Sequence, residues 1–541
     1  MTEPLTLEYN LAELPSSQHR AGLAGLVLMV QWHNDNPDKK GVCEITHLGE
    51  TGATLQIDRE GLQSLFDKVY AASREEVGRE AKLKNKAKEE IPPLREEIRT
   101  ITDPKTAKIK EKTFYIYPQV IPRGAFLVDY DPTSDGDNGI WIKLWRNMIW
   151  SILRGVPATR RPYDERSEGE FTEDADKVWQ ELNRQGDFTV ELPSTYFIGA
   201  QASNAENVPF KDRARFQFLL HFWSFVAQIY VPITWSFDRK TNRESPKDVG
   251  FALVIPDVAN LEVFCEELPP VLQKREVELF GYRPKESIVD VAAEGALELM
   301  DKINQRLAKR VKYQISDLLL GVDVVHLEKQ GNNIRLWGNS RIDPIREMID
   351  EYSRVKTRFT NALFRRQRIL NVLNERNWFY GFDSLLSKTD SEQTIGSSFF
   401  RNDVRKAFED IGVTNKNKGA KEMNGENQET ASRTAEDLIY QMVGRYISAK
   451  LKSKYQLEWT EGYKNTPKEF EYNEKKGKVA REAFLAIRSR TESDFIDYFA
   501  STLCAFPQFL NEQGYATLAK ALHTETEKVR TLTMLALSAR G

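Results

Sequence analysis

The sequence predicts an α+β protein: a large mixed N-terminal region with mostly antiparallel strands and long helices, followed by a C-terminal helical bundle. Strand and helix patterns mix up to residue 414, whereas apolar residues after 434 recur only at helical spacing. Between them, residues 415–433 contain no apolar residue other than Ala and Met423. Such a stretch cannot bury enough surface to offset its ordering entropy. We therefore predict two regions, 1–414 and 434–541, joined by a mobile linker.

The bulk composition limits the classes of protein to consider. The chain has 541 residues, enough for two to four domains, and a net charge of −3, so contacts with nucleic acid must come from local basic patches. The three cysteines are dispersed, which favours a reducing cytosol and predicts a cytoplasmic protein. The acidic N-terminus is unlike a signal peptide, and no apolar run predicts a membrane span.

The first predicted helix begins after Ser16 and Ser17, either of which can cap it. Small residues between positions 21 and 25 would let another backbone pack closely. His19 and Arg20 fall in the first turn, beside free amide N–H groups. Two interpretations remain open: these side chains contact a nucleic-acid backbone, or they belong to a buried helix with a hydrated first turn.

A β-hairpin is predicted next, from residues 42–48 and 53–58 around a Gly-Glu-Thr-Gly turn, with a helix over 60–72. Residues 73–112 carry interleaved charges of both signs and predict an exposed helical hairpin inserted between strands. Further strands are predicted at 114–117, 125–130, 195–198, 249–255 and 322–327. Further helices are predicted at 144–153, 215–230, 289–312 and 345–376 and, after the linker, at 435–455, 479–488, 492–503, 515–523 and 524–537.

The loop over residues 199–210 consists mainly of small and amide residues. Amide side chains donate to and accept from base edges, and small neighbours let a loop enter a narrow groove. The candidates for base recognition are Gln201, Ser203, Asn204 and Asn207, with Lys211 and Arg213 on phosphate. The alternative is a turn that satisfies its own hydrogen bonds, because Asn and Ser favour loops in any case.

Basic residues are concentrated in three further places. The candidates for contact with a DNA or RNA backbone there are Arg160 and Arg161, the set Arg358, Arg365, Arg366 and Arg368, and the set Arg445, Lys450, Lys452 and Lys454. Arginine suits phosphate because its planar fork of donors matches phosphate geometry. Basic helices also pair with acidic partners, so charge alone leaves both interpretations open.

No constellation of residues predicts chemistry. Asp131, Asp135 and Asp137 suggest a calcium loop, but the twelfth position is Ile142 where a bidentate Glu is required. The six histidines are dispersed, and the phosphate-binding, nucleophile and zinc-protease motifs are missing. The sequence therefore predicts no metal, no cofactor and no catalytic residue.

Two stretches resemble a known family. Residues 14–26 read LPSSQHRAGLAGL, and residues 196–210 read YFIGAQASNAENVPF, followed by LLHFW at 219–223 and YVP at 230–232. Both stretches resemble the large subunit of type I CRISPR Cascade complexes, in the Myxan branch near subtype I-B. The first motif is long and specific, and the second is moderately specific.

The resemblance implies a non-enzymatic subunit that reads a short PAM in duplex DNA, helps to open the duplex and stabilises the R-loop. The implied partners are CRISPR RNA, double-stranded target DNA with its displaced strand, the backbone, CRISPR-RNA-5′-end-binding and small Cascade subunits, and a helicase-nuclease. Some relatives carry an inserted nuclease domain, but this sequence shows no H-N-H-type metal cluster. An alternative from another class is a nuclease with an unrecognised active site.

Met423 lies just ahead of the C-terminal helices. In the branch that the sequence resembles, the helical C-terminal part can also be made as a separate small subunit from an internal start. Met423 is the candidate for such a start. The alternative is an ordinary linker that contains a methionine by chance.

Overall fold

The structure is a computed structural model, and the chain divides into two compact units, unit 1 (residues 1–349) and unit 2 (residues 350–541). The structure describes residues 3–541 apart from 85–87, 103–108, 134–138, 154–158, 170–171, 185–187, 194–195, 200–209, 239–242, 311, 332, 423–433, 491, 506–509 and 511. Antiparallel sheets in unit 1 and helices in unit 2 confirm the predicted α+β class.

Unit 1 contains the strands of the described chain. They are β1 (Leu5–Asn10), β2 (Cys43–Leu48), β3 (Gly52–Ile57), β4 (Ala72–Arg79), β5 (Arg95–Thr102), β6 (Ile109–Pro122), β7 (Thr189–Leu192), β8 (Phe210–Arg213), β9 (Gln228–Asp238), β10 (Arg243–Asp248), β11 (Phe251–Val258), β12 (Leu279–Phe280), β13 (Arg283–Pro284), β14 (Ile288–Val289), β15 (Leu319–Gln330) and β16 (Asn333–Ile342). Its helices are α1 (Ser17–Asn34), α2 (Arg59–Val69), α3 (Ile140–Ser151), α4 (Arg161–Ser167), α5 (Asp174–Leu182), α6 (Ala214–Leu219), α7 (Leu261–Gln273), α8 (Glu294–Leu307) and α9 (Ile315–Leu318).

The division between the units falls inside α10 (Arg346–Arg358). Unit 2 continues with α11 (Ala362–Leu373), α12 (Phe382–Lys388), α13 (Ser398–Glu422), α14 (Ala435–Tyr455), α15 (Pro467–Arg488), α16 (Glu492–Tyr498), α17 (Glu512–Thr524) and α18 (Thr526–Arg540). The described residues after 434 form helices and turns without a strand, as the apolar spacing predicts.

The core of unit 1 is a sheet in the order β10-β9-β11-β15-β16, in which successive neighbours are antiparallel. All eight residues of β11 are buried. The strands predicted at 249–255 and 322–327 are confirmed within β11 and β15, although both extend further than their apolar runs. The predicted N-terminal hairpin is also confirmed, since β2 pairs antiparallel with β3.

Helix α1 packs against β11 and against the segment around residues 219–222. A Cβ on Gly22 would lie 2.4 Å from the Leu219 carbonyl oxygen, and one on Gly25 would lie 2.4 Å from the Phe222 carbonyl oxygen. The prediction of a close backbone approach is therefore confirmed. Neighbouring elements bury helix α1 on almost every side, which explains why apolar residues occur on almost all of its faces.

Several predicted elements in unit 1 are wrong. The charged insertion is not a helical hairpin: β4, β6 and β5 form an antiparallel sheet in which Arg95 pairs with Glu76 across strands at 2.6 Å. The alternation of apolar and polar residues in β6 is obscured by its charges. The helix predicted over 215–230 ends at Leu219, and β9 begins at Gln228, because a continuous buried apolar run fits helix and strand equally well.

Shorter predictions fail for local reasons. Residues 196–199 form a turn rather than a strand, and Ala125–Leu127 is one turn of helix after Gly124, whose φ of 87° favours glycine. Helix α3 begins earlier than predicted, at Ile140, because Asp131 caps it from outside the helix: its Oδ2 accepts from the N–H groups of Trp141 and Ile142 at 3.1 and 3.0 Å. Helix α8 is shorter than the predicted 289–312.

Unit 2 is organised around α18, which is buried continuously from Thr531 to Ala539 and contacts α12, α13, α14, α15, α16 and α17. The unit begins at Asp350, about 65 residues before the predicted linker. Helix α13 extends to Glu422, so residues 415–422 are helical where the sequence predicts a mobile linker. Met423 and the rest of the predicted linker lie outside the described residues.

Candidate nucleic-acid interface

The two stretches that carry the family resemblance meet in unit 1. Gln18, in the first turn of α1, donates from Nε2 to the Tyr196 carbonyl oxygen at 2.6 Å and accepts from the Ile198 N–H at 3.3 Å. The rings of His19 and Phe197 lie 6.2 Å apart. The capped start of α1 therefore positions the beginning of the loop that the sequence assigns to base recognition.

The candidates Gln201, Ser203, Asn204 and Asn207 lie outside the described residues, but both ends of their loop are described. The Phe197 ring before the loop and the Phe210 ring after it have centroids 4.3 Å apart. Strand β8, which follows the loop, pairs antiparallel with β7. The two described ends of the loop therefore lie close together, and each belongs to a structured part of unit 1.

Of the two cations that follow the loop, Lys211 is exposed on β8. Arg213 lies 3.7 Å from a Glu13 carboxylate oxygen, and its guanidinium lies over the Phe216 ring at 5.1 Å. Lys211 is therefore the better placed of the two for a phosphate.

His19 is buried, with only 3% of its surface exposed. Its Nδ1 lies 2.8 Å from the Ser16 hydroxyl oxygen, and Ser16 is the cap of α1. Burial lowers the pKa of His19 to about 4 and outweighs the opposite effect of Asp212. A neutral, buried imidazole cannot attract phosphate, so the structure differs from the predicted backbone contact.

Arg20 is also committed inside unit 1. Its Nη1 donates to Asp257 Oδ1 at 2.7 Å, and its Nε donates to the Leu11 carbonyl oxygen at 3.0 Å. Asp257 also accepts from Arg341 at 2.8 Å, and Ser17 donates to Asp323 at 2.6 Å. These contacts tie α1 to β11, β15 and β16, so Arg20 positions the sheet rather than a nucleic acid.

Arg160 and Arg161 precede and begin α4. Arg160 donates from Nη2 to the Trp150 carbonyl oxygen at 2.6 Å, and its guanidinium lies 5.0 Å from the centre of the Trp150 indole. Arg161 is exposed and pairs with Glu165, one helical turn away. An exposed pair of this kind contributes little to stability, so Arg161 can exchange Glu165 for phosphate more easily than Arg160 can leave Trp150.

The strongest basic run in the sequence lies on two helices instead of one, because Asn361 caps α11 by accepting from the Phe364 N–H at 3.0 Å. Arg358 ends α10 and pairs with Asp410 at 3.0 Å. Arg368 is buried and pairs with Glu351 at 2.6 Å; burial lowers the pKa of its guanidinium against the opposing effect of Glu351. Arg368 therefore serves an internal contact, whereas Arg366 is exposed, and Arg358 is also exposed in a surface pair that is weak in water.

Arg365 lies partly exposed on α11. The four candidates of α14 point to a more open surface. Arg445 is exposed, and the Lys450 ammonium lies 5.9 Å from the Tyr446 ring centre. Lys452 pairs with Glu458 and Lys454 pairs with Glu482, both at 2.9 Å, and both glutamate side chains are largely exposed. Such pairs are weak in water.

One aromatic surface, on the edge strand β16, was not among the residues selected from the sequence. The Trp337 indole is 43% exposed, with the Arg335 guanidinium 3.7 Å from its centre and the His326 ring 6.2 Å away and nearly parallel. Exposed rings stacked with arginine can stack on nucleic-acid bases. The available signal was an aromatic residue among polar neighbours in a strand-forming run.

The described residues contain no group of three or more His, Cys, Asp or Glu side chains that could hold a metal ion. Asp131, the first residue of the rejected calcium loop, is buried and caps α3 and the turn at Thr133, whose hydroxyl donates to it at 2.6 Å. These capping hydrogen bonds explain why an acidic residue occupies position 131 without a metal ion. No helix in the described residues is long and apolar enough to cross a bilayer.

Comparison of the chain with models of known protein families identifies its family. The chain matches the type I-B CRISPR Cas8b N-terminal domain over residues 42–313 and the type I-B CRISPR Cas8b C-terminal domain over residues 319–540. These matches define it as a large subunit of a type I-B CRISPR system. The chain belongs to the Cas8b family. A search of curated proteins gives no match.

The family matches confirm the resemblance that residues 14–26 and 196–210 suggest, although the first of these stretches lies before the matched region. The boundary between the two family domains, residues 314–318, precedes the division between the compact units. The core sheet therefore takes β9, β10, β11 and β14 from the first family domain and β15 and β16 from the second.

Proposed function

We propose that this Cas8b chain is a non-catalytic, DNA-reading subunit of a CRISPR RNA-guided surveillance complex. The observation that carries the proposal is the pair of family matches over residues 42–313 and 319–540. In the proposed division of labour, pairing with CRISPR RNA reads the target sequence, while the protein reads a PAM and stabilises the opened duplex. Its proposed partners are CRISPR RNA, target DNA with its displaced strand, the backbone, 5′-end-binding and small subunits, and a helicase-nuclease.

PAM recognition, through the minor groove, is proposed for the loop over residues 201–207. Two contacts and one exposed cation support it: Gln18 holds the chain before the loop, Phe197 packs on Phe210 across its two ends, and Lys211 follows it. A loop that is fixed at both ends loses less entropy when it binds than a free one. The amides of Gln201 and Asn204 have the donors and acceptors that base edges require.

The test uses the complex assembled with CRISPR RNA and its partner subunits. Gln201→Ala and Asn204→Ala should each weaken binding to PAM-bearing DNA by ~1–3 kcal/mol, the value of one good bidentate base contact, while the complex still assembles. Gln273→Ala is the matched control, since Gln273 is an exposed amide at the end of α7. A PAM preference that is unchanged in both loop variants would refute the assignment.

Backbone contacts are proposed for cations that remain exposed, among them Lys211, Arg366 and Arg445. Removal of one phosphate contact should weaken binding to all DNA sequences alike and reduce the salt dependence of binding by about one unit of slope. Arg366→Gln and Arg445→Gln in the assembled complex test this. If the slope does not change, these side chains serve another purpose.

The proposal also expects the chain to cleave no nucleic acid by itself. Purified protein is incubated with end-labelled single- and double-stranded DNA in magnesium or manganese. Intact DNA is the expected result. Cleavage that follows the protein through every purification step would support the alternative, a nuclease.

We also propose that translation from Met423 yields the C-terminal helices as a separate small subunit. The contacts of α18 with α14, α15, α16 and α17 support a separate subunit, because all five helices follow Met423. However, α12 and α13 also contact α18, and both precede Met423. The Phe408 ring of α13 stacks on Tyr440 at 4.5 Å, and Arg405 donates to the Ala539 carbonyl oxygen at 3.2 Å. A product that begins at Met423 lacks these contacts and needs another surface to cover α18.

The native gene is expressed with its partners, and the complex is analysed by intact-mass spectrometry. The expected result is a second species that begins at or near Met423 and disappears when that codon is changed to one that cannot start translation. The same change should weaken R-loop formation. Detection of the full-length chain alone, with unchanged R-loop formation in the codon variant, would leave residues 423–433 as a linker only.

A further inference from the structure

Strand β5 is an open edge of the small antiparallel sheet β4-β6-β5. It pairs with β6 on one side, and no strand among the described residues pairs with its other side. The opposite edge strand, β4, contacts α4 and pairs Arg74 with Glu168. Residues 95–100 of β5 are exposed apart from the half-buried Glu97. An edge strand of eight residues presents N–H and C=O groups to which another strand can bond.

Apolar side chains lie exposed beside this edge. Ile98, near the middle of β5, is 71% exposed, and Ile109, at the start of β6, is 73% exposed. Ile98 lies opposite Thr113, and residues separated by four positions along a strand share a face, so Ile98 and Ile109 lie on the same face of the sheet. An open edge strand with exposed apolar residues is a surface to which another strand binds readily.

The charges of β5 restrict the strand that fits it. Glu97 lies between Arg95 and Arg99, and its carboxylate oxygens are 2.8 and 2.7 Å from the two guanidinium groups. About half of each arginine side chain is exposed. Exposed ion pairs contribute little to stability, so Arg99 can exchange one carboxylate for another at low cost.

A second copy of β5 carries the matching charges. Two copies that pair antiparallel at their edges are related by a two-fold axis perpendicular to the sheet, and opposite residues then lie on the same face. With Ile98 on this axis, Glu97 of each copy lies opposite Arg99 of the other. With Glu97 or Arg99 on the axis instead, like charges would lie opposite each other. The charge pattern therefore selects the register centred on Ile98.

The side chains can reach across this register. Directly opposite residues of antiparallel strands have Cβ atoms about 4.5–5.5 Å apart, which is within the length of an arginine side chain. Arg99 can therefore contact Glu97 of its own strand or Glu97 of the second copy. Ile98, which is largely exposed in one copy, would pack against Ile98 of the other.

We propose that two copies of the free chain associate through β5, in the antiparallel register centred on Ile98. The two small sheets then form one sheet in the order β4-β6-β5-β5-β6-β4. One pair of short strands buries much less than the roughly 1,600 Å² of a standard interface, so we expect a dissociation constant in the micromolar range. The proposal concerns the chain before it joins a complex and does not depend on PAM recognition.

The test measures the mass of the purified full-length chain by sedimentation velocity over a range of micromolar concentrations. Glu97→Arg leaves only cations at the two matched positions, and Arg99→Glu leaves only anions. Each variant is measured alone, and the two are then measured as an equimolar mixture. The control is Glu75→Arg, which makes the same change of charge at an exposed position on β4.

We expect the parent chain and the Glu75→Arg control to dimerise equally. Each β5 variant alone should dimerise roughly tenfold more weakly, because two symmetric attractive contacts become repulsive. The mixture should form a heterodimer about as stable as the parent dimer, since the cations of one variant lie opposite the anions of the other. A variant that failed to fold could not regain association in the mixture.

Four results would overturn the proposal. The first is a parent chain that stays monomeric at every concentration. The second is a mixture that associates no better than the separate variants, and the third is a dimer that both variants form as well as the parent, which would place the interface elsewhere. The fourth is a monomeric parent chain whose Glu97→Arg variant no longer assembles with partner subunits, which would assign the β5 edge to one of those subunits.

Discussion

Replacing Gly22 or Gly25 by alanine tests how closely α1 must approach its neighbours. Each new Cβ would lie 2.4 Å from a backbone carbonyl oxygen, that of Leu219 or that of Phe222. A backbone oxygen cannot rotate away as a side chain can, so α1 or the segment 219–222 must move. Because α1 also packs on β11, movement at one face disturbs the other.

The size of the effect follows from two opposing contributions. Overpacking a close-packed interior costs ~1–3 kcal/mol, and alanine in place of glycine returns about 0.5–1 kcal/mol in a helix interior. Since the clash is with backbone at both positions, we expect the upper part of the first range and a net loss of about 1–2 kcal/mol for each variant. The two positions lie one turn apart and meet the same segment, at Leu219 and at Phe222, so their effects should not add.

Urea unfolding followed by tryptophan fluorescence is a suitable assay, because eight of the ten tryptophans lie before residue 350 and report on unit 1. Gly338→Ala is the matched control: no atom lies within 4 Å of the position of its Cβ. A Gly22→Ala variant that unfolds at the same urea concentration as the parent protein and as Gly338→Ala would refute the close approach.

Two further predictions concern stability. Arg368→Ala should lower the free energy of unfolding of unit 2 by about 1–3 kcal/mol, since it removes a buried side chain and one of the two arginines that pair with Glu351, the other being Arg354. Arg366→Ala at an exposed site should change it by less than about 0.5 kcal/mol, and similar losses would contradict the distinction between the two arginines. Burial lowers the pKa of both His19 and His221 to about 4 in the folded chain. As the pH falls below about 6.5, the two histidines therefore bind protons in the unfolded chain but stay neutral in the folded chain. Stability that is present above pH 6.5 should therefore decline towards pH 4, by about 2 kcal/mol per histidine between pH 7 and 5, as measured by urea midpoints. His221→Asn should lose less over the same range, and an equal loss would exclude His221 as a source.

Periodicity identified the parts of the fold that have one buried face or a capped end. The hairpin of β2 and β3, the caps of α1 and the helices after residue 434 all belong to this class. The run over 215–230 does not, because it is buried throughout and its period is hidden. The charged insertion was misassigned because salt bridges between strands and between helical turns use the same residue types.

The candidate site was harder to predict, because its contacts join residues far apart in the sequence. Arg20 and Asp257 are 237 positions apart, and nothing local indicates that Arg20 is already neutralised. The same holds for the contact of Gln18 with Tyr196, which brings the two family motifs together. Residue type indicates which side chains can bind phosphate, but the tertiary fold decides which of them are available.

The covering of α1 has a consequence for synthesis on the ribosome. Gly22 meets Leu219, so this apolar helix is made about 197 residues before the segment that covers it. At the usual bacterial and eukaryotic elongation rates of about 5–20 residues per second, that interval is roughly 10–40 s. During it the helix has neither Leu219 nor β11 as a neighbour, and its exposed apolar surface is open to chaperones and to other nascent chains. Slower translation of residues 35–219 should therefore increase aggregation of the newly made chain, whereas slower translation after β16 should not.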